Sequence, residues 1–162
     1  MLTQAELKTQ LHYEPSTGVF TRLVSNNTRF LVGTVAGCQH HSGYNHISIS
    51  KRIYEAHRLA WLYVHGQFPA NQLDHKNGQR SDNRLDNLRL ATHAQNVQNQ
   101  VKPSKNNKSG YLGVCWSKSN SAWAAQIKVS GKILQLGRFA DPTVAHQIYL
   151  AAKRVHHPYG TI

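Results

Sequence analysis

Asp74 and His75 stand side by side, and a turn-forming, amide-rich stretch follows them to Asn87 and then, past a short apolar run, to Asn96. A neutral imidazole can take a proton from water. Hydrolysis of a phosphodiester needs such a base, together with a divalent cation to neutralise charge on the phosphate and the leaving oxygen. His75 supplies the base. A hard cation such as Mg²⁺ prefers oxygen ligands; the Asp74 carboxylate and the Asn96 side-chain carbonyl offer two, and water and phosphate complete the set. Asn87 suits a bracing role, because asparagine side chains bond loop backbone readily. On composition alone the stretch reads equally well as an Asn/Asp-rich turn region.

These residues need a strand, a loop, a second strand and a helix to hold them. Leu73 leads into Asp74, residues 88–92 form a short strand-like run, and Thr92 can cap a helix starting near His93 that carries Asn96 on its first turns. Neighbouring side chains of a regular strand face opposite sides, so a bulge or sharp twist is predicted at Asp74 and His75 if both serve one site. Upstream, His46, Ser48 and Ser50 alternate with Ile47 and Ile49 as a half-buried strand. It belongs to a β-hairpin leading into a helix, where Leu59, Leu62 and Tyr63 share a face and Gly66 ends the element. Residues 100–109 form a polar, basic linker without apolar periodicity. Three strand-like runs follow, with a Ser130 to Lys132 turn, and then a helix capped by Asp141 with Pro142 in its first turn. Its expected apolar stripe is Val144, Ile148, Ala151, Ala152 and Val155.

Charge narrows the partners. The net charge is +12, of which residues 101–162 carry +8, with nine Lys and Arg against one acidic residue. A tail so basic, with Trp, Tyr and Gln interspersed, points to nucleic acid ahead of membrane. No apolar run approaches the ~20 residues of a spanning helix, and the N-terminal residues lack the pattern of a signal peptide. A cytoplasmic protein is expected, in the host cytoplasm if phage-encoded. Cys38 and Cys115 lie far apart, so no disulfide framework or zinc knuckle is encoded; Cys38 to His41 lacks a second ligand pair. His40, His41, His46, His57, His65, His156 and His157 show no ligand spacing; most read as surface or hydrogen-bonded histidines and a few as phosphate contacts.

Asp74-His75, the run from Asp82 to Thr92 and Gln95-Asn96 resemble the HNH nuclease motif of phage and intron-encoded homing endonucleases, its three letters falling on His75, Asn87 and Asn96. Residues 54–69 resemble the stretch that commonly precedes this motif. The resemblance implies a ββα-metal fold with one divalent ion, His75 as general base, Asp74 and Asn96 as metal ligands, and Asn87 holding the loop. Asn in the third position favours Mg²⁺ or Mn²⁺ over zinc by ligand hardness. Arg80, Arg84 and Arg89 flank the site as candidate phosphate contacts.

From Ser109 to Gly160 the chain resembles the AP2/ERF DNA-binding domain, in which a three-stranded sheet enters the major groove and a helix packs behind it. Alternation puts Ala124, Gln126 and Lys128 on one face, assigned to DNA, and Trp123, Ala125 and Ile127 on the helix side. Lys118 and Gln135 join the DNA face. Leu112 and Cys115 stand where the plant pattern has arginines, and Trp116 and Trp123 are expected in the core. The expectation is thus an α+β chain: N-terminal β-hairpins and an HNH fold over 1–99, a linker over 100–109 and an AP2-like sheet and helix over 110–162. It would cut double-stranded DNA as a monomer, with a divalent cation and no small-molecule cofactor. The alternative is a DNA-binding regulator whose nuclease motif has decayed. An RNA binder is disfavoured, since the strands lack an obvious set of exposed stacking aromatics.

Overall fold

The protein is described by a computed structural model covering residues 1–25 and 30–160. It is a mixed α and β chain with several small antiparallel sheets, compatible with the α+β class. The backbone divides into two compact units, Met1–Thr92 and His93–Ile162.

The first unit opens with α1 (Gln4–Gln10), started by a capping box in which Thr3 and Glu6 each satisfy the other's backbone N–H. A hairpin follows, of β1 (Leu11–Glu14) and β2 (Val19–Arg22), then a sheet of β3 (Cys38–Gln39), β4 (Asn45–Ile49) and β5 (Arg52–Glu55) in that spatial order. In β4, Ile47 and Ile49 are buried while Ser48 is exposed, as alternation predicts. The chain passes directly from β5 into α2 (Ala56–His65), which ends at Gly66. Leu59, Ala60 and Leu62 on α2 meet Leu7, Leu11, Tyr13, Phe20 and Ile47 in one core. Leu88 joins that core from a two-stranded ribbon, β6 (Gln72–His75) with β7 (Leu88–Ala91).

The loop between β6 and β7 is stitched to the first hairpin. The Tyr13 hydroxyl donates to the Asn83 carbonyl at 2.7 Å, and the Leu85 N–H donates to the Pro15 carbonyl at 3.2 Å.

In the second unit, α3 (His93–Gln98) starts where Thr92 leads one to expect. No helix or strand occurs between it and β8 (Val114–Ser117), but Asn107 and Ser109 bond the Tyr111 and Val114 carbonyls. β8, β9 (Ala122–Val129) and β10 (Lys132–Phe139) form an antiparallel sheet with β9 central, and α4 (Pro142–His156) covers one face. Asp141 caps α4 through the Thr143 N–H, with Pro142 in the first turn.

The apolar stripe expected on α4 is not its buried face. Val144, Ile148, Ala151 and Val155 are exposed, and the helix buries Ala145, Tyr149 and Lys153 instead. Two local features turn it this way. Gly113, at φ +76°, leaves room for the Tyr149 ring, and the Lys153 ammonium donates to the Gln100 carbonyl at 2.9 Å. Burial lowers the Lys153 pKa. Trp123 joins the core as expected; Trp116 meets it edge-on at 5.0 Å but remains 46% exposed, so its core assignment is corrected. Trp116 lies on β8, an outer strand of the sheet.

A methyl group on Gly113 would lie 2.0 Å from Tyr149 Cδ2 on a backbone that disfavours side chains. Gly113→Ala should therefore cost about 2–4 kcal/mol, from overpacking plus left-handed backbone strain. Chemical denaturation reports it, and an unchanged midpoint would refute the packing described.

Candidate active site

β6 and β7 pair in unbroken register, Asp74 opposite Arg89 and His75 opposite Leu88. The bulge predicted at Asp74 and His75 is absent. Regular pleating sends the two side chains to opposite faces, so a substrate engaging both would lie across the edge or end of the ribbon. His75 is the last residue of β6, where the ribbon opens into the loop. The predicted requirement for a bulge assumed approach from one face only.

His75 is 4% exposed. Its imidazole sits beside two aromatic neighbours, His57 edge-on at 5.1 Å and Tyr44 at 5.8 Å. Desolvation lowers its pKa, against the opposing pull of Asn83, Asp74 and Asp82. Neutral imidazole is therefore the form present at neutral pH, and the pH dependence expected at the ordinary imidazole value of ~6.5 moves to lower pH. His57, which sequence reasoning put among the scattered histidines, is itself buried, with its Nε2 3.4 Å from a Glu55 oxygen. Neither His57 nor Tyr44 was singled out as a neighbour of His75. They come from other elements, α2 and the β3–β4 turn, at no recognisable spacing from it.

On the other face, Asp74 Oδ2 accepts from Arg89 Nε at 2.9 Å and Nη2 at 2.7 Å. Arg84 makes a two-pronged ion pair with Asp82, whose hydrogen bonds from Arg84 are the main cause that holds its carboxyl down at about 2. Arg80 donates to the Ser42 carbonyl at 2.9 Å and stacks over Tyr44, 5.0 Å from the ring centre. All three arginines considered for phosphate contacts thus have partners within the first unit.

Asn87 is buried at the base of the loop. Its side-chain oxygen accepts from the Asn77 N–H at 3.1 Å, and its amide donates to the Asp82 carbonyl at 2.9 Å. Asn77 in turn donates to Asp82 Oδ2 at 2.8 Å. These side chains supplement the loop's backbone bonds, among them the Lys76 N–H to the Asn87 carbonyl at 2.8 Å. Asn96 lies on α3, in the second unit.

In that second unit, Gln126 and Lys128 on β9 share the sheet face away from α4 with Gln135 on β10, directly opposite Gln126. Lys118 is exposed in the turn after β8, outside the strands.

Protein 3.8 of Escherichia phage T7 is 36% identical over 86 residues, a span covering 51% of this chain and 70% of that protein. The chain belongs to that family. A family model described as HNH endonuclease matches residues 54–98. No solved structure matches the chain. The HNH segment begins in β5, takes in α2, the β6–β7 ribbon and its loop, and ends with α3; Asp74, His75, Asn87 and Asn96 all lie within it. His57 also falls inside the segment, while Tyr44 precedes it. The basic three-stranded sheet lies beyond its end. No described helix is long and apolar enough to cross a membrane.

Proposed function

We propose that this chain is a metal-dependent endonuclease of homing-endonuclease type that hydrolyses phosphodiester bonds in double-stranded DNA, guided partly by its C-terminal sheet. The observation that carries the reading is His75: a buried imidazole, kept neutral by burial, at the open end of the ribbon in the HNH segment.

Neutral His75 takes the proton of the attacking water. His57 and Tyr44 pack against its ring, and Asn87 secures the loop on which a phosphate would rest. Asp74 and Asn96 are the residues that would hold a divalent cation. Among the described residues no group of three His, Cys, Asp or Glu side chains could hold a metal ion. One carboxylate and one amide oxygen would be a hard, sparse donor set, of the kind that suits Mg²⁺ or Mn²⁺ retaining its waters. Such an ion, when bound, neutralises charge on the phosphate. The C-terminal sheet backed by α4, resembling AP2/ERF, supplies the positive surface: Lys118 and Lys128 approach phosphates, and Gln126 and Gln135 approach base edges.

Incubation of the full chain with supercoiled plasmid tests the reading. Nicked or linear product is expected with Mg²⁺ or Mn²⁺ and none with chelator. Asp74→Ala and Asn96→Ala should each raise the cation concentration required at least tenfold or abolish cutting, and the double variant should be no worse than the poorer single, because residues serving one ion act as a unit. Tight DNA binding without cutting under any cation would instead identify a regulator with a decayed motif.

A further inference from the structure

We infer that Gln126 and Gln135 form a single reading unit for one adenine in the major groove, a specificity that rests on the sheet being a DNA reader. The two side chains are direct cross-strand partners on the face of the β8–β9–β10 sheet away from α4. Gln135 Nε2 donates to Gln126 Oε1 at 3.3 Å.

An amide–amide hydrogen bond consumes one N–H and one oxygen. The donating amide keeps its oxygen, and the accepting amide keeps its NH₂ group. The pair therefore shows one acceptor beside one donor, and interchanging the two amides leaves this unchanged. Adenine is the base whose own major-groove edge offers a donor, N6–H, beside an acceptor, N7; guanine offers two acceptors there. Mutual bonding also holds two otherwise flexible side chains in place, which lowers the cost of ordering them on a base.

The surroundings fit a groove. Along the strands the amide pair lies between Lys128, opposite Ile133, and Arg138, opposite Ala124. Lys128 and Arg138 are exposed, so positive charge stands on both sides of the pair, as the two phosphate walls of a groove require. Ala124 is small enough to let the backbone approach bases. Ile133 is 62% exposed on this face, where an apolar side chain can meet a thymine methyl group.

Binding-site selection tests this, with the full chain held in chelator and given a randomised pool of DNA duplexes. The wild type should fix A·T at one position by about tenfold over other pairs. Gln126→Ala and Gln135→Ala should each relax that same position and no other, with no further loss in the double variant. Placing 7-deazaadenine there, which removes N7, should weaken the wild type about tenfold and leave the double variant unaffected. A position fixed as G·C, a preference that survives both substitutions, or indifference to 7-deazaadenine overturns the inference while leaving the sheet as a reader. DNA affinity and its salt dependence unchanged in both Lys128→Ala and Arg138→Ala, or no enrichment at all, overturns the reader itself.

Discussion

His75→Ala should slow DNA hydrolysis by roughly 10²–10⁴-fold, the usual contribution of a positioned general base, while DNA affinity stays within about twofold because the imidazole acts on water. Added imidazole should restore part of the rate, which a purely structural role for the side chain would not allow. Because the base works when neutral, the rate of the wild type rises with pH through the His75 pKa and is level above it. Desolvation lowers that pKa, so the rising limb lies below ~6.5 and the profile is flat from pH 7 to 8. Single-turnover rates across pH 5 to 8.5 would show it. Cutting at near wild-type rate by the alanine variant, or a limb centred above the ordinary imidazole value, would sink the assignment of His75.

Acid should destabilise the first unit well before its carboxylates titrate, through His57. Burial, with His75, Arg58 and His46 adding positive influence, pushes its pKa down to about 3 from 6.5. Between those values the unfolded chain binds a proton that the folded chain does not. Stability is therefore fully present above pH 6.5 and falls as pH drops toward 3, by up to about 1.4 kcal/mol per pH unit. His57→Phe, which does not titrate, should reduce this slope and leave the share that His75 contributes, since burial lowers its pKa as well. Denaturation midpoints from pH 7 to 4 compare the two, and equal slopes would show that His57 does not carry the effect.

The parts of this chain that were legible are those where hydrophobic period and burial coincide. β4 and α2 follow their alternation and helical spacing because a single dominant core lies on one side of each. The face of α4 was illegible for the opposite reason. Its most apolar residues point outward, while the buried positions include a tyrosine admitted by a distant glycine and a lysine admitted by a carbonyl 53 residues away. Asp74, His75, Asn87 and Asn96 could be read as candidates because they fall at motif spacing within one segment. Arg89 on Asp74, and Tyr44 and His57 beside His75, could not. Those neighbours are set by strand pairing and helix docking, which leave no local mark.

The hydrogen bond from the Tyr13 hydroxyl to the Asn83 carbonyl spans 70 residues. Such a contact repays the entropy of closing a long loop only after both ends exist, so it makes the site a late event in folding. During synthesis that bond cannot form until the loop around Asn83 has left the ribosome. A fragment limited to residues 54–98, the span of the HNH segment, would leave the Asn83 carbonyl without its tyrosine and Leu88 without Tyr13 and Phe20 beside it. The stretch that holds the motif and the stretch that must fold together are thus different lengths of the same chain.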